Sequence, residues 1–260
     1  MRWKTLAFIG ALAAWSLAPR PAAAVDLALV LLNDVSKSMD MAEYALVKDG
    51  YRAAFSDPEV IAALLSNGGG IAVAYVEFSG KDEIELVKGW DVLTDAASAR
   101  AFGEAIAAAP RTSAGNTALS AGLTAATRML MEGDFAGVRR VIDIASDHPS
   151  DGGRSAAIRD AAVDAGITIN ALPIIDDQPI GTIDGRMTYA TARWGSDTVA
   201  EFYLRNVVGG PGSFAVEARD YAVFGEALKR KLLLEFIASP APYGPYQPVL
   251  IASAAAALGD

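Results

Sequence analysis

The chain has 260 residues, no cysteine, a single histidine and a formal net charge of −9. The lack of cysteine excludes disulfides, thiolate metal sites, a cysteine nucleophile and a lipid-modified cysteine anchor. The excess of acidic residues argues against a nucleic-acid partner, because that affinity comes from Lys and Arg side chains that neutralise phosphates.

The first 24 residues have the pattern of a secretory signal. Arg2 and Lys4 precede an apolar stretch over residues 6–17, and alanines occupy positions 22–24. This pattern predicts cleavage after Ala24. The apolar stretch is shorter than the roughly 20 residues that a membrane span needs, although an uncleaved anchor is the alternative. We therefore expect an exported protein, periplasmic or secreted, with no membrane span after cleavage.

The rest of the chain alternates between apolar runs typical of buried strands and stretches with helical spacing. Strands are predicted over residues 25–32, 71–78, 138–145 and 166–174, with a short edge strand at 83–87 and a last short strand ending at 216. Helices are predicted over residues 44–55 (with Asp40 as N-cap), 98–109, 119–130, 157–162, 199–207 and 221–237. The alternation predicts an α/β fold with a doubly wound, mostly parallel six-stranded sheet, flanked by helices and carrying one short antiparallel edge strand.

Two polar segments are predicted to lie outside this regular structure. Residues 175–195 contain Asp176, Asp177 and Asp184 and are predicted to form a long surface loop, with a second calcium site as the alternative. The end of the chain has four prolines between 240 and 248, followed by an alanine-rich stretch, which is typical of an extended or disordered appendage. The predicted organisation is a signal peptide at 1–24, one domain at 25–238 and a Pro/Ala-rich tail at 239–260.

Three consecutive cationic residues, Lys229, Arg230 and Lys231, fall in the later turns of the last predicted helix. Cations suit that end of a helix because its macrodipole is negative there. The sequence predicts that all three are solvated.

The residues that carry chemistry follow the first predicted strand. Asp34, Ser36 and Ser38 place a carboxylate and two hydroxyls at alternate positions, at the edge where open α/β sheets bind ligands. Thr117 precedes a predicted helix and Asp147 follows another predicted strand, so the fold would bring both near the first three. Hard oxygen donors of this kind suit Mg²⁺, Mn²⁺ or Ca²⁺ and disfavour Zn²⁺ and Cu²⁺. The alternative is structural, with the first three residues forming a turn and helix cap and Thr117 capping its own helix.

In order and spacing, these five residues resemble the metal-ion-dependent adhesion site of von Willebrand factor A domains. The resemblance extends over residues 25–237. Five segments are also similar to a bacterial exported group described only as a domain of unknown function, DUF1194. They lie at residues 25–31, 44–51, 139–144, 166–174 and 208–214.

The resemblance implies a role for each of the five residues. Ser36 and Ser38 would donate hydroxyl oxygens directly to the cation, and Thr117 would be a ligand that binds directly or through water. Asp34 and Asp147 would hold the cation directly or through water. A protein partner would supply an Asp or Glu carboxylate to the remaining coordination position.

Two departures from the group flank the last of these ligands. Ser146 and His148 stand where glycine is usual, which affects metal affinity without removing a ligand. His148 is the only histidine, and the alternative function is a metal-assisted phosphoester or ester hydrolase with His148 as general base. A scaffold without a working site is a third possibility. The sequence favours, over these two alternatives, a non-enzymatic, exported module that binds a protein partner in a divalent-cation-dependent way.

Overall fold

The computed structural model describes residues 25–135, 138–149, 154–175, 178–183, 186–190, 193–237 and 248–251. Between residues 178 and 194 only the backbone is described. The predicted signal segment, the aspartates of the alternative calcium site and most of the predicted tail lie outside the described residues. Within the described part of the chain, no helix is long and apolar enough to cross a membrane.

The described residues form eleven strands. In chain order they are β1 (Leu27–Asp34), β2 (Ile71–Phe78), β3 (Ile84–Leu93), β4 (Arg139–Ser146), β5 (Ile167–Pro173), β6 (Gln178–Ile183), β7 (Arg186–Ala190), β8 (Arg193–Trp194), β9 (Asp197–Thr198), β10 (Phe214–Val216) and β11 (Val249–Ile251).

The described residues also form seven helices, several of which begin at a side-chain cap. Asp40 caps the first helix through a capping box with Glu43, as the sequence predicts, and Asp57 and Asp95 cap the second and third. The helices are α1 (Met41–Ser56), α2 (Pro58–Leu65), α3 (Ala96–Ala108), α4 (Leu119–Glu132), α5 (Arg154–Asp164), α6 (Val199–Asn206) and α7 (Phe224–Ile237).

Seven of the strands make one sheet in the order β11-β10-β5-β4-β1-β2-β3. Neighbouring strands run parallel except β2 and β3, which are antiparallel. This confirms the doubly wound, mostly parallel α/β fold. The six-stranded count was low by one, because Val249–Ile251 of the predicted tail pair with β10 as an edge strand.

Helices cover both faces of the sheet. One core joins Leu27, Leu29 and Leu31 of β1 to the buried sides of α1, α2, α3 and α7. The other joins Ala28, Val30 and Leu32 to α4, α5 and α6. The alternate residues of β1 therefore face two different cores, which explains why this central strand is apolar without interruption.

Two segments differ from the sequence prediction in their regular structure. The region expected to be a loop contains an antiparallel pair, β6 with β7, followed by the short pair β8 with β9. Gly, Pro and Asp residues marked it as a loop, but such residues also punctuate short hairpins. The edge strand β3 is also longer than predicted, since it continues through Gly89 with an irregular register opposite Val73 and Tyr75.

Lys231 is buried, so the prediction of a solvated cation was wrong for this residue. Its side chain is 0 % exposed and its Nζ lies 2.5 Å from Asp143 Oδ1 in β4. Lys231 lies on the face of α7 that packs on the sheet, together with Leu228, Leu232 and the buried Glu235. A run of three cations contains positions on more than one face of a helix, because successive residues are about 100° apart at 3.6 residues per turn.

Candidate metal centre

Three segments meet at the carboxyl edge of the sheet. β1 and β4 are parallel neighbours, with Asn33 beside Ala145 in register, so Asp34 and Asp147 emerge side by side. The loop between α3 and α4 brings Thr117 to the same place. This is the point where the chain winds away from the central strand in opposite directions, the usual ligand crevice of an open α/β sheet.

The Asp34 carboxylate is held by hydrogen bonds on both oxygens. The Ser36 backbone amide donates to Oδ1 at 2.8 Å, and the Ser146 hydroxyl donates to Oδ2 at 2.6 Å. Asp34 and Ser146 are both buried. Ser146, noted in the sequence only as a departure from glycine, thus fixes the orientation of this carboxylate.

The other predicted ligands form a hydrogen-bonded chain of oxygens. Ser36 Oγ lies 2.9 Å from Thr117 Oγ1 and 3.2 Å from Ser38 Oγ. The Ser38 hydroxyl in turn donates to Asp147 Oδ1 at 3.1 Å. Ser36 and Asp147 are buried, Thr117 is half-buried and Ser38 is exposed, so the chain of oxygens is accessible from the surface at Ser38 and Thr117. The structure therefore brings all five residues together.

The alternative structural readings do not describe these contacts. The N-cap of α1 is Asp40, so Asp34, Ser36 and Ser38 do not cap that helix. The residue before α4 is Ala118, whose methyl side chain cannot cap the helix. The hydroxyl of Thr117 lies 2.9 Å from Ser36 Oγ across the crevice.

Burial dominates the electrostatics of the two carboxyl groups. It raises the pKa of Asp34 to about 7, with repulsion from Asp147 as the second cause. Burial also raises the pKa of Asp147, which the Ser38 hydrogen bond opposes. No Lys or Arg side chain in the described part of the chain forms an ion pair with either carboxylate. A bound cation would supply the missing positive charge.

Tyr221 is a neighbour of the site that sequence reasoning missed. Its hydroxyl is buried beside the Asp147 carboxylate, whose pKa it helps to lower. Burial and then the nearby carboxylates of Asp147 and Asp34 raise the pKa of Tyr221, which stays protonated. A neutral hydroxyl at this position can donate to a ligand or a water at the site.

Arg111 supports the loop that carries the hydroxyl ligands, and sequence reasoning missed it as well. Its guanidinium donates to the carbonyls of Val35 at 2.7 Å and Ser36 at 2.7 Å through Nη2, and to Met39 at 2.9 Å through Nη1. Nε donates to the Ser113 carbonyl at 3.1 Å. One planar donor group thus fixes the backbone of residues 35–39 against the loop that leads to Thr117. No periodic or motif signal marks an arginine whose main partners are backbone carbonyls.

Backbone hydrogen bonds connect the loop that contains Thr117 to two neighbouring segments. The Lys37 amide donates to the Gly115 carbonyl at 2.9 Å, and the Ala118 amide donates to Ser79 at 2.7 Å. A Cβ at Gly115 would lie 2.9 Å from the Gly80 backbone nitrogen, so glycine permits the close approach of this loop to the turn after β2. The ligand positions are set by rigid neighbours as well as by their own rotamers.

The donor set is compatible with a hard divalent cation. Among the described residues, no group of three or more His, Cys, Asp or Glu is placed to hold a metal ion. The site has two such side chains, and its other donors are the hydroxyls of Ser36, Ser38 and Thr117. Ligands at 2.0–2.1 Å in an octahedral Mg²⁺ shell lie about 2.9 Å apart. The hydroxyl separations of 2.9 and 3.2 Å are close to that spacing.

His148 is exposed. The two hydrogen bonds that connect it with Ser146 involve its backbone amide and carbonyl. Within the described residues, its imidazole makes no hydrogen bond to Ser36 or Ser146, as a nucleophile and base pair would require. The geometry offers no assembled Ser-His pair for hydrolysis.

Comparison with solved structures identifies the fold. The chain is similar to the von Willebrand factor type A protein from Catenulispora acidiphila, with 15% identity, a TM-score of 0.50 and coverage of 81% of this chain and 43% of the other. It is similar to the pilus adhesin SpaC from Lactobacillus rhamnosus GG in its open conformation, with 19% identity, a TM-score of 0.52 and coverage of 81% and 30%. A third similar structure is proximal thread matrix protein 1 from the mussel byssus, described with a zinc-occupied MIDAS motif, at 16% identity, a TM-score of 0.51 and coverage of 79% and 46%.

These similarities establish a von Willebrand factor A-type fold, at identities too low to carry a function across. None of the curated proteins searched matches the chain. One family model does match, over residues 24–240, which is most of the sequence. The chain therefore belongs to DUF1194, a family of proteins of unknown function.

Proposed function

We propose that this protein is an exported module that binds a protein partner through a divalent cation. Asp34, Ser36, Ser38, Thr117 and Asp147 would hold the cation, and an Asp or Glu of the partner would complete its coordination. The observation that carries the proposal is the convergence of two buried carboxylates and three hydroxyls with no ion-pairing Lys or Arg among the described residues.

The bound cation would act as a Lewis acid toward an incoming carboxylate. Ser36, Ser38 and Thr117 are neutral, so the two aspartates at most balance a dication. A partner carboxylate would therefore meet an electrophilic centre, despite the formal net charge of −9 on the chain. The hydrogen bonds from Ser146 and Arg111 would keep Asp34 and the hydroxyl loop in place as the partner binds.

Cation binding is the first test of this proposal. We expect Mg²⁺ or Mn²⁺ to raise the melting temperature, with Ca²⁺ and Zn²⁺ as comparisons because a zinc-occupied MIDAS motif is described for a structure of the same fold. A ligand that binds only the native state adds RT ln(1 + [L]/Kd) to the free energy of unfolding, about 2.7 kcal/mol at a hundredfold excess over Kd. Coincident melts with cation and with chelator would contradict the proposal.

Partner binding is the second test. A partner captured by the wild-type protein should be released by chelator and should bind less well to Thr117→Ala. Thr117→Ala removes one neutral ligand but keeps both carboxylates, so we expect the partner to be weakened more than the cation. Chelator-insensitive binding would show that the cation does not hold the partner. The matched control is Thr94→Ala, an exposed threonine that follows β3 at the opposite edge of the sheet.

Export is proposed from the pattern of residues 1–24, with cleavage after Ala24. N-terminal sequencing of the protein isolated from the periplasm or the medium should begin at Val25. A protein that is exported with Met1 intact would contradict the cleavage. Comparing the amounts of protein in the periplasm and in the medium shows whether it is periplasmic or secreted.

A further inference from the structure

A cleft of about 610 Å³ opens directly beside the metal centre. Thr117 lines it, and the lining residues of α4, from Ser120 to Arg128, form its floor. Lys81, in the turn between β2 and β3, and Arg154, at the start of α5, line it as well. A partner bound at Thr117 therefore has a continuous path along α4.

The lining of the cleft is cationic. Lys81, Arg128 and Arg154 contribute three positive side chains, and none of the described lining residues is Asp or Glu. Among the described residues, Lys81 and Arg128 each form one ion pair, a 3.9 Å contact with an exposed neighbour that holds the side chain weakly. In a chain with a net charge of −9, a concentration of positive charge beside the ligand site selects for negatively charged partners.

The floor has room for an extended peptide. Ala118, Ala121 and Ala125 are small, and Ser120 and Thr124 are polar lining residues that suit peptide groups. From Leu119 at the start of α4 to Arg128, the helix rises about 14 Å at 1.5 Å per residue. An extended segment covers that distance in about four residues at 3.3 Å each, and its alternate side chains point to the same side.

We propose that this cleft binds an extended acidic segment of the protein partner, with carboxylates at alternate positions. The first carboxylate would lie at the metal centre, and the following ones would pair with Lys81, Arg154 and Arg128. This inference rests on the proposed function, because it describes the rest of the partner segment whose first carboxylate binds the cation. It narrows the partner to proteins with an Asp-x-Glu-x-Glu type of segment.

The test compares two labelled heptapeptides by fluorescence anisotropy at saturating Mg²⁺ or Mn²⁺. One carries Asp, Glu and Glu at alternate positions between glycines, and the other has Gln in place of both Glu. We expect the triacidic peptide to bind wild-type protein about fivefold more tightly, since each exposed ion pair contributes a fraction of a kcal/mol. The difference should shrink as salt is added, because exposed charges are screened.

Charge variants separate the cleft from a general electrostatic effect. Neutralising the cleft with Lys81→Gln, Arg128→Gln and Arg154→Gln should abolish the preference and leave the cation affinity unchanged. The control removes three positive charges elsewhere, with Arg52→Gln, Lys88→Gln and Arg100→Gln, none of which lines the cleft. This control should keep the preference.

The possible results distinguish this inference from the proposed function. Equal binding of the two peptides, no binding of either, or a preference that survives in the cleft variant would overturn the inference, while cation-dependent melts would still support the metal centre. A preference that persists in chelator would support the cleft and contradict the role of the cation. Tighter binding of an oligonucleotide of equal charge would overturn the acidic-peptide assignment.

Discussion

Burial of a carboxylate costs free energy. The carboxylates at the candidate metal centre and those where α7 packs on the sheet differ in the charges that offset this cost. Asp143 is buried in β4 and pairs with Lys231, and Glu235 is buried in α7 and pairs with Arg139 and Asn170. Asp34 and Asp147 are buried at the end of the same sheet, but no ion-pairing Lys or Arg accompanies them in the described part of the chain.

The causes of the pKa shifts express this difference. Burial is the largest cause for both Asp34 and Asp143, and it raises both pKa values. The second cause has opposite sign, since Asp147 raises the pKa of Asp34 further while Lys231 lowers that of Asp143. In the described part of the chain, a Lys side chain offsets the charge of Asp143, whereas no Lys or Arg side chain offsets that of Asp34. That contrast favours a cation site at the carboxyl edge over a purely structural role.

The largest expected effect comes from breaking the internal pair. Asp143→Asn leaves the Lys231 ammonium buried without its carboxylate, and we expect the free energy of unfolding to fall by about 3 kcal/mol or more. Chemical denaturation with the cation present and absent measures the loss, which should be the same in both conditions. A variant as stable as the wild type would show that Asp143 does not offset the cost of burying the Lys231 ammonium.

The matched control replaces both partners with apolar residues of similar size. Asp143→Leu combined with Lys231→Met removes the desolvation cost of both charges, so we expect a stability much closer to wild type than that of the single variant. If the double variant is as unstable as Asp143→Asn, the loss comes from packing and the electrostatic comparison fails.

The same change at the metal centre should have the opposite sign without cation. Asp34→Asn relieves repulsion with Asp147, so the cation-free variant should melt above the cation-free wild type. It should also lose the gain of about 2.7 kcal/mol that a hundredfold excess of cation gives. Melts of both proteins with cation and with chelator measure both effects, and an Asp34→Asn protein that is still stabilised by cation would contradict the ligand assignment.

Acidification should weaken cation binding. The pKa of Asp34 is raised to about 7 in the folded, cation-free protein, so folding binds a proton that the unfolded chain releases near pH 4. The contribution of Asp34 to the stability of the cation-free protein is therefore fully present below pH 4 and is lost as the pH rises through about 7. A cation competes with that proton, and its apparent affinity should fall by up to about tenfold per pH unit below 7. Titrations at pH 6 and pH 8 measure the change, and equal affinities would contradict it.

The smallest expected effect comes from changing Arg111, which supports the loop of residues 35–39. Arg111→Lys keeps the charge but replaces a planar fork by a single ammonium, which cannot reproduce the contacts to Val35, Ser36 and Met39. We expect cation affinity about tenfold lower, as for other residues that orient ligands without touching the metal. Arg52→Lys, an exposed residue on α1, is the control. An unchanged Kd for the cation would limit Arg111 to a structural role.

Sequence patterns predicted the parts of the molecule that local chemistry dictates. The uninterrupted apolar run of β1, the cap at Asp40 and the five candidate ligands follow from residue type and spacing. Lys231, Arg111 and β11 do not, because their positions depend on contacts between segments far apart in the chain. From the sequence alone, a lysine in α7 is assigned to the surface, because its partner in β4 is not known. The pairing of Val249–Ile251 cannot be read from a proline-rich tail.

The last strand has a practical consequence for anyone who handles this protein. The family match ends at residue 240, whereas β11 lies at Val249–Ile251. A fragment cut at the family boundary would lose that strand and leave the amides and carbonyls of β10 unpaired on an open sheet edge. Such edges recruit strands from other molecules and promote aggregation. We therefore expect that a fragment of this domain must extend to residue 251 to avoid aggregation through the edge of β10.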